Sequence, residues 1–398
     1  MLNLFINNQI MKKTQLILAA ALVALAACEN KSLDLNGPQT LDNEIGFTAV
    51  TKKATKANNA IISGATYADD NTFNVWGWQS ENGLFTDTAL TEGAASNFMS
   101  GLEISWTSGR DNTRAKAWRN EDNYYYWPFT GKIGFLAIHP STVAPTSTGW
   151  DATNKKAKAT INDYTISASN ITTDLMFAYA AGSREATDLD AQGNLALVFK
   201  HALSQILVKV KTDEDYTLDN VQFDVESVQF NNIDLSGDLA YANEAFTWTD
   251  NTATTQTQNW IYYNTVLENI TKTAQNYGAA ILMIPQPANV KVAAVGEPGD
   301  ENYVAADNVE TTLTIGYSMK QKDNAKITGT VTVTAPWAKV KEGDTEFDPA
   351  EAISGWEAGK KYVYTLNFKL KEILFSPSVT DWVEVIMETI DVEPGSVL

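Results

Sequence analysis

The segment IGFTA, residues 45–49, alternates apolar side chains with small or polar ones. Ile45, Phe47 and Ala49 would share one face of an extended strand, because successive side chains of a β-strand point to opposite sides of its sheet. The same period of two recurs along the chain and predicts an all-β fold. The segments that show it are residues 73–78, 124–127, 133–138 and 175–179, followed by 195–199, 206–210, 221–230, 280–284, 313–317, 327–333 and 362–368.

A polar segment separates the two groups of predicted strands. Residues 181–194 are rich in turn-forming residues, which favours a domain boundary within them. About seven strands on each side suit two β-sandwiches of ordinary size. We therefore predict an N-terminal β-sandwich domain over residues 44–186 and a C-terminal one over residues 187–398. A polar tether at residues 28–43 precedes them.

The composition excludes several classes of site. The chain of 398 residues carries a formal net charge of −19, and a surface of this sign repels nucleic acids and anionic lipid head groups. A single cysteine cannot form an internal disulfide, and His139 and His201 are the only histidines, so no zinc or copper cluster is predicted. Neither of the glycine-rich phosphate-binding motifs occurs, and no cofactor is expected.

The cysteine follows an apolar segment near the N-terminus. Residues 16–27 are apolar and come after Lys12 and Lys13, as in a secretory signal peptide. Twelve residues are too few to span a bilayer, which takes about 20. Residues 25–28, LAAC, resemble a bacterial lipobox, which implies cleavage before Cys28 and acylation of its thiol. We predict that residues 1–27 are removed, with Met11 as the true start, and that the product is an outer-membrane lipoprotein at the cell surface. The alternative is an ordinary signal peptide with an unmodified thiol.

The candidate catalytic and metal sites are incomplete. Residues 188–193, DLDAQG, begin like a calcium-binding loop, but Gln192 replaces the Asp or Asn at its fifth position and Phe199 replaces the acid at its twelfth. A serine hydrolase needs a histidine base beside its nucleophile, and neither His139 nor His201 lies near a G-x-S-x-G turn. Among 48 acidic residues some pair always falls at the spacing of a glycosidase, so such pairs carry no information. The protein is therefore predicted not to be an enzyme.

A set of aromatic residues leaves two alternatives open. They could form a platform for sugar rings, which would make the protein a surface adhesin for glycans or a host protein. They could equally fill the core of a sandwich, since each aromatic side chain buries about 150–250 Å². The set comprises Trp76, Trp78, Trp118, Tyr125, Tyr126 and Trp127.

Positive charge is concentrated directly after the IGFTA segment. Lys52, Lys53 and Lys56 precede Ala57, in a region that is either a solvated strand end or an accessible target for a trypsin-like protease. A cut there would separate the lipid and the strand at residues 45–49 from the rest of the chain. If that strand is paired in the sandwich, its loss would leave an open apolar groove.

Several segments, taken in order, resemble the fimbrillin (Mfa-like) family of Bacteroidota. The likeness begins with the lipobox and the IGFTA strand and extends over essentially the whole mature chain. The other segments that carry it are VWG at residues 75–77, YYWP at 125–128, FLAIHP at 135–140, DLMFA at 174–178, FKHALSQ at 199–205, GKKYVYTL at 359–366 and VTDW at 379–382.

The resemblance implies a structural protein built from a tandem pair of transthyretin-like β-sandwiches. It further implies export as a lipoprotein, proteolytic removal of the N-terminal strand, and polymerisation with other fimbrial subunits by strand exchange. One departure concerns the processing site, because the family has an arginine before the alanine whereas this chain has Lys56 before Ala57. Either the protease accepts lysine, or the protein keeps its lipid and serves as an anchor or accessory subunit.

The resemblance also implies that a C-terminal strand is the donor. The tail at residues 383–398 follows Trp382 and alternates well enough to add to a sheet. The alternative is a final edge strand of its own domain. The candidate donor residues are Val383, Val385, Ile386, Ile390 and Val392.

Overall fold

A computed structural model describes most of the chain from residue 43 onward. The described residues are 43–51, 67–80, 90–108, 115–185, 187–216, 221–250, 258–287, 289–292, 307–321, 325–334, 355–369, 373–381 and 390–392. All the regular elements within these ranges are β-strands, which confirms the predicted all-β fold.

A closed sheet of seven strands dominates the first half of the chain. The strands of this half are β1 (Gly46–Thr51), β2 (Phe73–Ser80), β3 (Met99–Thr107), β4 (Ala117–Arg119), β5 (Lys132–His139), β6 (Ser147–Asp151), β7 (Lys156–Thr165), β8 (Met176–Gly182) and β9 (Asn194–His201). The closed sheet has the order β1-β4-β3-β2-β5-β8-β9, and β1 closes it by pairing with both β4 and β9. Strands β6 and β7 lie outside this sheet.

The second half of the chain supplies the strands of the other sheets. Their bounds are β10 (Ser204–Thr212), β11 (Val221–Ile233), β12 (Ser236–Ala242), β13 (Ala245–Asp250), β14 (Gln258–Tyr263), β15 (Gln275–Asn276), β16 (Ile281–Met283), β17 (Gln286–Pro287), β18 (Asn289–Val292), β19 (Asp307–Glu310), β20 (Thr312–Gln321), β21 (Ile327–Thr334), β22 (Gly355–Trp356), β23 (Lys360–Phe368), β24 (Ile373–Asp381) and β25 (Ile390–Val392).

The remaining described strands form one six-stranded sheet, two four-stranded sheets and two pairs. The six-stranded sheet has the order β15-β10-β23-β24-β25, with β16 also paired to β10, and one four-stranded sheet has the order β14-β11-β20-β21. A third sheet, β13-β12-β7-β6, combines strands from both halves of the chain. Two pairs, β17 with β22 and β18 with β19, complete the described strands.

Strand β5 shows how the sheets share their cores. Ile133, Phe135 and Ala137 belong to the buried cluster inside the closed sheet. Leu136 and Ile138 point to the opposite face and belong to a second cluster, which fills the space between the remaining sheets. Because both faces of β5 are covered, the strand is an almost continuous run of buried apolar residues instead of a clean alternation.

Strand pairing crosses the domain boundary that the sequence places between residues 186 and 187. Strand β9 follows that position, yet it pairs with β1 and β8 of the closed sheet. Strand β7 precedes it and pairs with β12. After β9 the chain continues into another sheet at Ser204, and the pairing of β7 with β12 crosses that point as well. The division into two transthyretin-like domains stays a prediction.

Candidate functional site: strand β1 and its groove

Strand β1 is the element that closes the seven-stranded sheet. It runs parallel to β9, with Gly46 opposite Asn194 and each following residue in register as far as Thr51 opposite Phe199. On its other side it is antiparallel to β4, where Phe47 lies opposite Trp118. We call the space between β4 and β9, which β1 fills, the β1 groove.

The apolar face of β1 is fully inserted into the core, as its period of two predicts. Ile45, Phe47 and Ala49 are 3%, 1% and 6% exposed. The ring of Phe47 packs edge-on against Phe135, with the ring centroids 5.1 Å apart. The same buried cluster contains Leu197 and other apolar side chains of β9. These groove-lining side chains would meet water if β1 left.

A buried ion pair lies at the start of β1. Nε of Arg119, on β4, is 3.5 Å from the carboxylate of Glu44, and the two side chains are only 4% and 2% exposed. Arg119 also donates through Nη1 to the carbonyl oxygens of Thr107, at 3.3 Å, and Ala115, at 3.2 Å. Its Nη2 donates to the side-chain oxygen of Asn194 on β9, at 3.4 Å. The Arg119 guanidinium therefore links β4 and β9, the two walls of the β1 groove, to Glu44, which lies two residues before β1 begins.

A second polar contact fastens the outer face of β1 to the loop before β9. The hydroxyl of Thr48 donates to Oδ2 of Asp190 over 2.6 Å. The other oxygen of Asp190 accepts from the backbone N–H groups of Gln192 and Asn194. Partial burial opposes ionisation of Asp190, but these hydrogen bonds outweigh it and hold the pKa of the carboxyl below its usual value.

This loop contains the residues that begin like a calcium site. Besides the contacts of Asp190, the carboxylate of Asp188 accepts from both the N–H and the hydroxyl of Ser183 and pairs with Lys132 at 3.2 Å. Within the described ranges, no group of three or more His, Cys, Asp or Glu residues is placed to hold a metal ion. The carboxylates of this loop organise the approach to β9.

The chain just before β1 is held by residues 125–127. The N–H of Ile45 donates to the carbonyl of Tyr125, and the N–H of Trp127 donates to the carbonyl of Asn43, each over 2.7 Å. The sequence predicts a strand over residues 124–127, but the structure has there only a single β-bridge, between Tyr126 and Glu44. The strand prediction is wrong here because this pairing ends after one residue on each side.

Both histidines are buried at the ends of strands of the closed sheet. Nδ1 of His139 lies 2.5 Å from the phenol oxygen of Tyr67 and 2.9 Å from the carbonyl oxygen of Thr72. Burial lowers the pKa of His139. Nδ1 of His201 lies 2.6 Å from the carboxylate of Asp174, and both side chains are almost completely buried. The two histidines thus stabilise the interior instead of facing a cleft.

The aromatic residues considered as a sugar platform lie mainly in the core. Trp76, Trp78, Trp118 and Trp127 are between 0% and 8% exposed. Of the set, Tyr126 alone is as much as 40% exposed. The prediction that these tryptophans form a sugar-binding platform is wrong, because rings that fill the interior cannot stack on a sugar.

Several predicted functional residues fall outside the described ranges. They are Cys28, Lys52, Lys53, Lys56, Ala57, Val383, Val385 and Ile386. The backbone of residues 390–392, which include the candidate donors Ile390 and Val392, forms β25 and pairs antiparallel with β24. No helix within the described residues is long and apolar enough to cross a membrane.

The family of the chain follows from its sequence over most of its length. The sequence model described as fimbrillin-like matches residues 53–382. The chain belongs to the fimbrillin-like family. This confirms the predicted resemblance, and because the family is one of fimbrial structural proteins, it also confirms that the protein is not an enzyme. Membership of this family indicates a fimbrial protein at the cell surface.

A solved structure agrees with this fold. A fimbrial protein of Bacteroides vulgatus matches with a TM-score of 0.54 at 18% sequence identity, over 85% of this chain and 99% of the other. A candidate cell adhesion protein of Bacteroides uniformis matches with a TM-score of 0.44 at 15% identity, over 87% and 100% of the two chains. Among curated proteins, none matches this chain.

Proposed function

We propose that this fimbrillin-like protein is a structural subunit of a fimbria that polymerises by exchange of its first strand. In this proposal the chain is exported as a lipoprotein anchored through Cys28. A protease then cuts within residues 52–57, after which β1 leaves together with the lipid. A strand from another fimbrial subunit enters the β1 groove and joins the two subunits.

The observation that carries the proposal is the way β1 closes its sheet. It is the first described strand, it fills a place between two other strands, and it runs parallel to β9 over all six of its residues. A strand so placed can leave without unthreading the rest of the chain. Its departure would free the backbone donors and acceptors along the facing edge of β9, and such an edge readily accepts another strand.

The apolar contacts explain why the exchange needs a cut. Burial of a side chain such as Ile45 or Phe47 contributes about 1.5–3 kcal/mol each. While β1 belongs to the same chain, its effective concentration at the groove exceeds that of any strand from another molecule. Cleavage removes this advantage, so the incoming strand has only to match the contacts of β1. Heterologous contacts of this kind join subunits into open filaments.

The test uses cells that assemble the protein and a variant in which Lys52, Lys53 and Lys56 are all replaced by glutamine. Mass spectrometry of the mature N-terminus then reports whether the chain begins at Cys28 with its lipid or after one of the lysines. We expect surface filaments and a trimmed N-terminus for the natural chain, and neither for the variant. Filaments built from subunits that retain Cys28 would contradict the proposal.

Two alternative functions remain predictions. A subunit that retains its lipid would serve as an anchor or accessory component, and the same N-terminal measurement identifies it. Binding of a glycan or host protein is a further prediction, and the side chain of Tyr126 is 40% exposed. The test is binding of the purified protein to a glycan array.

A further inference from the structure

We propose that a cavity lined by β13, β17 and β22 is a binding site for a neutral saccharide. The volume of this cavity is about 610 Å³, which lies within the range of about 300–1,000 Å³ that is typical of small-molecule sites. None of the described residues that line it belongs to β1, β4 or β9. The inference is therefore independent of the proposed exchange of β1.

Two aromatic side chains of β13 form one wall of the cavity. Phe246 and Trp248 lie two residues apart, so they share one face of the strand. Both are partly buried and pack against the core. The ring centroid of Phe246 lies 5.6 Å from that of Phe177, and the centroid of Trp248 lies 5.8 Å from that of Tyr164. These contacts hold the two rings in place while the rest of their surface faces the cavity.

The wall formed by β17 and β22 is held rigidly by Gln286. Its side-chain oxygen accepts from the N–H of Asp234 over 2.8 Å, and its Nε2 donates to the carbonyl oxygens of Asp234, at 3.1 Å, and Ile284, at 3.2 Å. Gln286 also lies opposite Trp356 in the strand pair, and a Cβ atom at the neighbouring Gly355 would collide with the Gln286 carbonyl oxygen. A wall fixed in this way does not have to be ordered when a ligand binds.

The two indoles offer apolar surface to the cavity, because their N–H groups are bonded inside the protein. Nε1 of Trp248 donates to the carbonyl oxygen of Ala202 over 2.8 Å, and Nε1 of Trp356 donates to the phenol oxygen of Tyr364 over 2.9 Å. The face of an aromatic ring carries partial negative charge and attracts groups with partial positive charge. The C–H groups on the apolar face of a sugar ring are of this kind, so a sugar can stack on such a surface.

The charges at the cavity favour a neutral ligand. Among the described residues that line it, Glu357 alone carries a charge, and its carboxylate lies 2.6 Å from Nζ of Lys360. The two charges cancel, so neither a cation nor an anion is favoured. The pair instead places a strong acceptor beside a strong donor, and sugar hydroxyls can both donate and accept.

This pair also favours a saccharide over a proline-rich peptide. Such peptides bind in grooves lined by aromatic rings, as a sugar does. Proline, however, has no backbone N–H, so a proline-rich segment has few donors to offer the Glu357 carboxylate. A saccharide satisfies both the rings and the carboxylate.

The test screens the purified uncut chain against an array of neutral and charged oligosaccharides and against a proline-rich decapeptide. The dissociation constant of the strongest neutral ligand is then measured by isothermal titration calorimetry. We expect a neutral oligosaccharide to bind, and Trp248→Ala to weaken its binding by about tenfold or more, because the stacking surface is lost. Glu357→Gln keeps the size of the side chain and removes its charge, and it should weaken binding by about threefold or more.

Two matched controls lie outside the cavity. Phe129→Ala removes a ring that is 85% exposed, and Glu92→Gln removes a carboxylate that is paired with Lys158. Both variants should bind the saccharide within about twofold of the natural chain, since neither residue lines the cavity. If Trp248→Ala does not fold, Glu357→Gln decides, because the side chain of Glu357 is 49% exposed and its replacement leaves the core unchanged.

Several results would overturn the proposal. They are binding of charged saccharides alone, binding of the decapeptide in place of a saccharide, and binding of none of the probes. Saccharide binding that Trp248→Ala and Glu357→Gln both leave unchanged would equally overturn it, because the ligand would then lie elsewhere. Each of these results leaves the proposed exchange of β1 intact.

Discussion

Replacing Phe47 with alanine removes the largest side chain that β1 inserts into the closed sheet. The ring is 1% exposed and packs edge-on against Phe135. Burial of such a side chain is worth about 1.5–3 kcal/mol, and the cavity that its truncation leaves adds a further penalty. Because the groove relaxes only partially around this cavity, we expect the free energy of unfolding to fall by about 3–5 kcal/mol.

The assay is equilibrium unfolding of the uncut chain in urea, followed by tryptophan fluorescence. The matched control is Val50→Ala on the same strand, where the side chain lies on the half-exposed outer face and its truncation should cost less than about 1 kcal/mol. A loss for Phe47→Ala no larger than that of the control would refute the insertion of β1 into the core.

The same variant distinguishes the contribution of β1 to the uncut subunit from its contribution to the filament. If β1 is absent from the filament, Phe47→Ala removes nothing from it, and filaments of the variant and of the natural chain should dissociate at the same temperature in detergent. A filament weakened as much as the uncut subunit would show that β1 remains in its groove after assembly.

Three further predictions concern polar and steric contacts, each followed by urea unfolding. Burial lowers the pKa of His139 below 6.5, so the unfolded chain binds more protons than the folded one and the free energy of unfolding should fall as pH drops below about 6.5. This dependence on pH should be weaker in His139→Gln, and an equal dependence in both proteins would contradict the prediction. Gly46→Ala should cost about 1–3 kcal/mol through its collision with Asn194, and Asn194→Ser should relieve it; no relief would contradict the collision. Thr48→Val should cost about 1 kcal/mol at neutral pH, and the loss should vanish as Asp190 is protonated in acid; a loss that persists would contradict the bond.

The sequence predicts the burial of β1 but not its neighbours. The period of two in IGFTA places Ile45, Phe47 and Ala49 on one face, and all three are buried. Period alone cannot show that this strand runs parallel to β9, far along the chain, because pairing depends on the whole fold. The ion pair of Glu44 with Arg119 leaves no pattern in the sequence either, since two single charges far apart resemble any others.

Turn-forming residues are equally ambiguous about domain boundaries. Residues 181–194 have the composition of a linker, but much of the segment connects β8 and β9, which pair within the closed sheet. A hairpin loop and a linker both need polar residues with unusual backbone angles, such as Gly193 with its φ of 82°. Composition therefore locates the turn correctly, but only the strand pairing around it shows whether the turn is a hairpin loop or a domain linker.

The central claim is that β1 must leave its groove before subunits join, and a reversible crosslink tests it most directly. Val50 of β1 lies opposite Val198 of β9, and Val198 is 40% exposed, so cysteines at both positions can bridge outside the core. The variant carries Val50→Cys and Val198→Cys in a Cys28→Ser background, and Val198→Cys alone is the control. Each protein is cut by limited digestion with a lysine-specific protease.

Polymerisation is then measured by electron microscopy and by the ladder of oligomers in detergent, with and without a reductant. We predict that the oxidised double variant stays monomeric after the cut, that reduction releases it to polymerise, and that the single variant polymerises in both conditions. Filaments that form while mass spectrometry shows the bridge intact would contradict strand exchange, as would a reduced protein that never assembles.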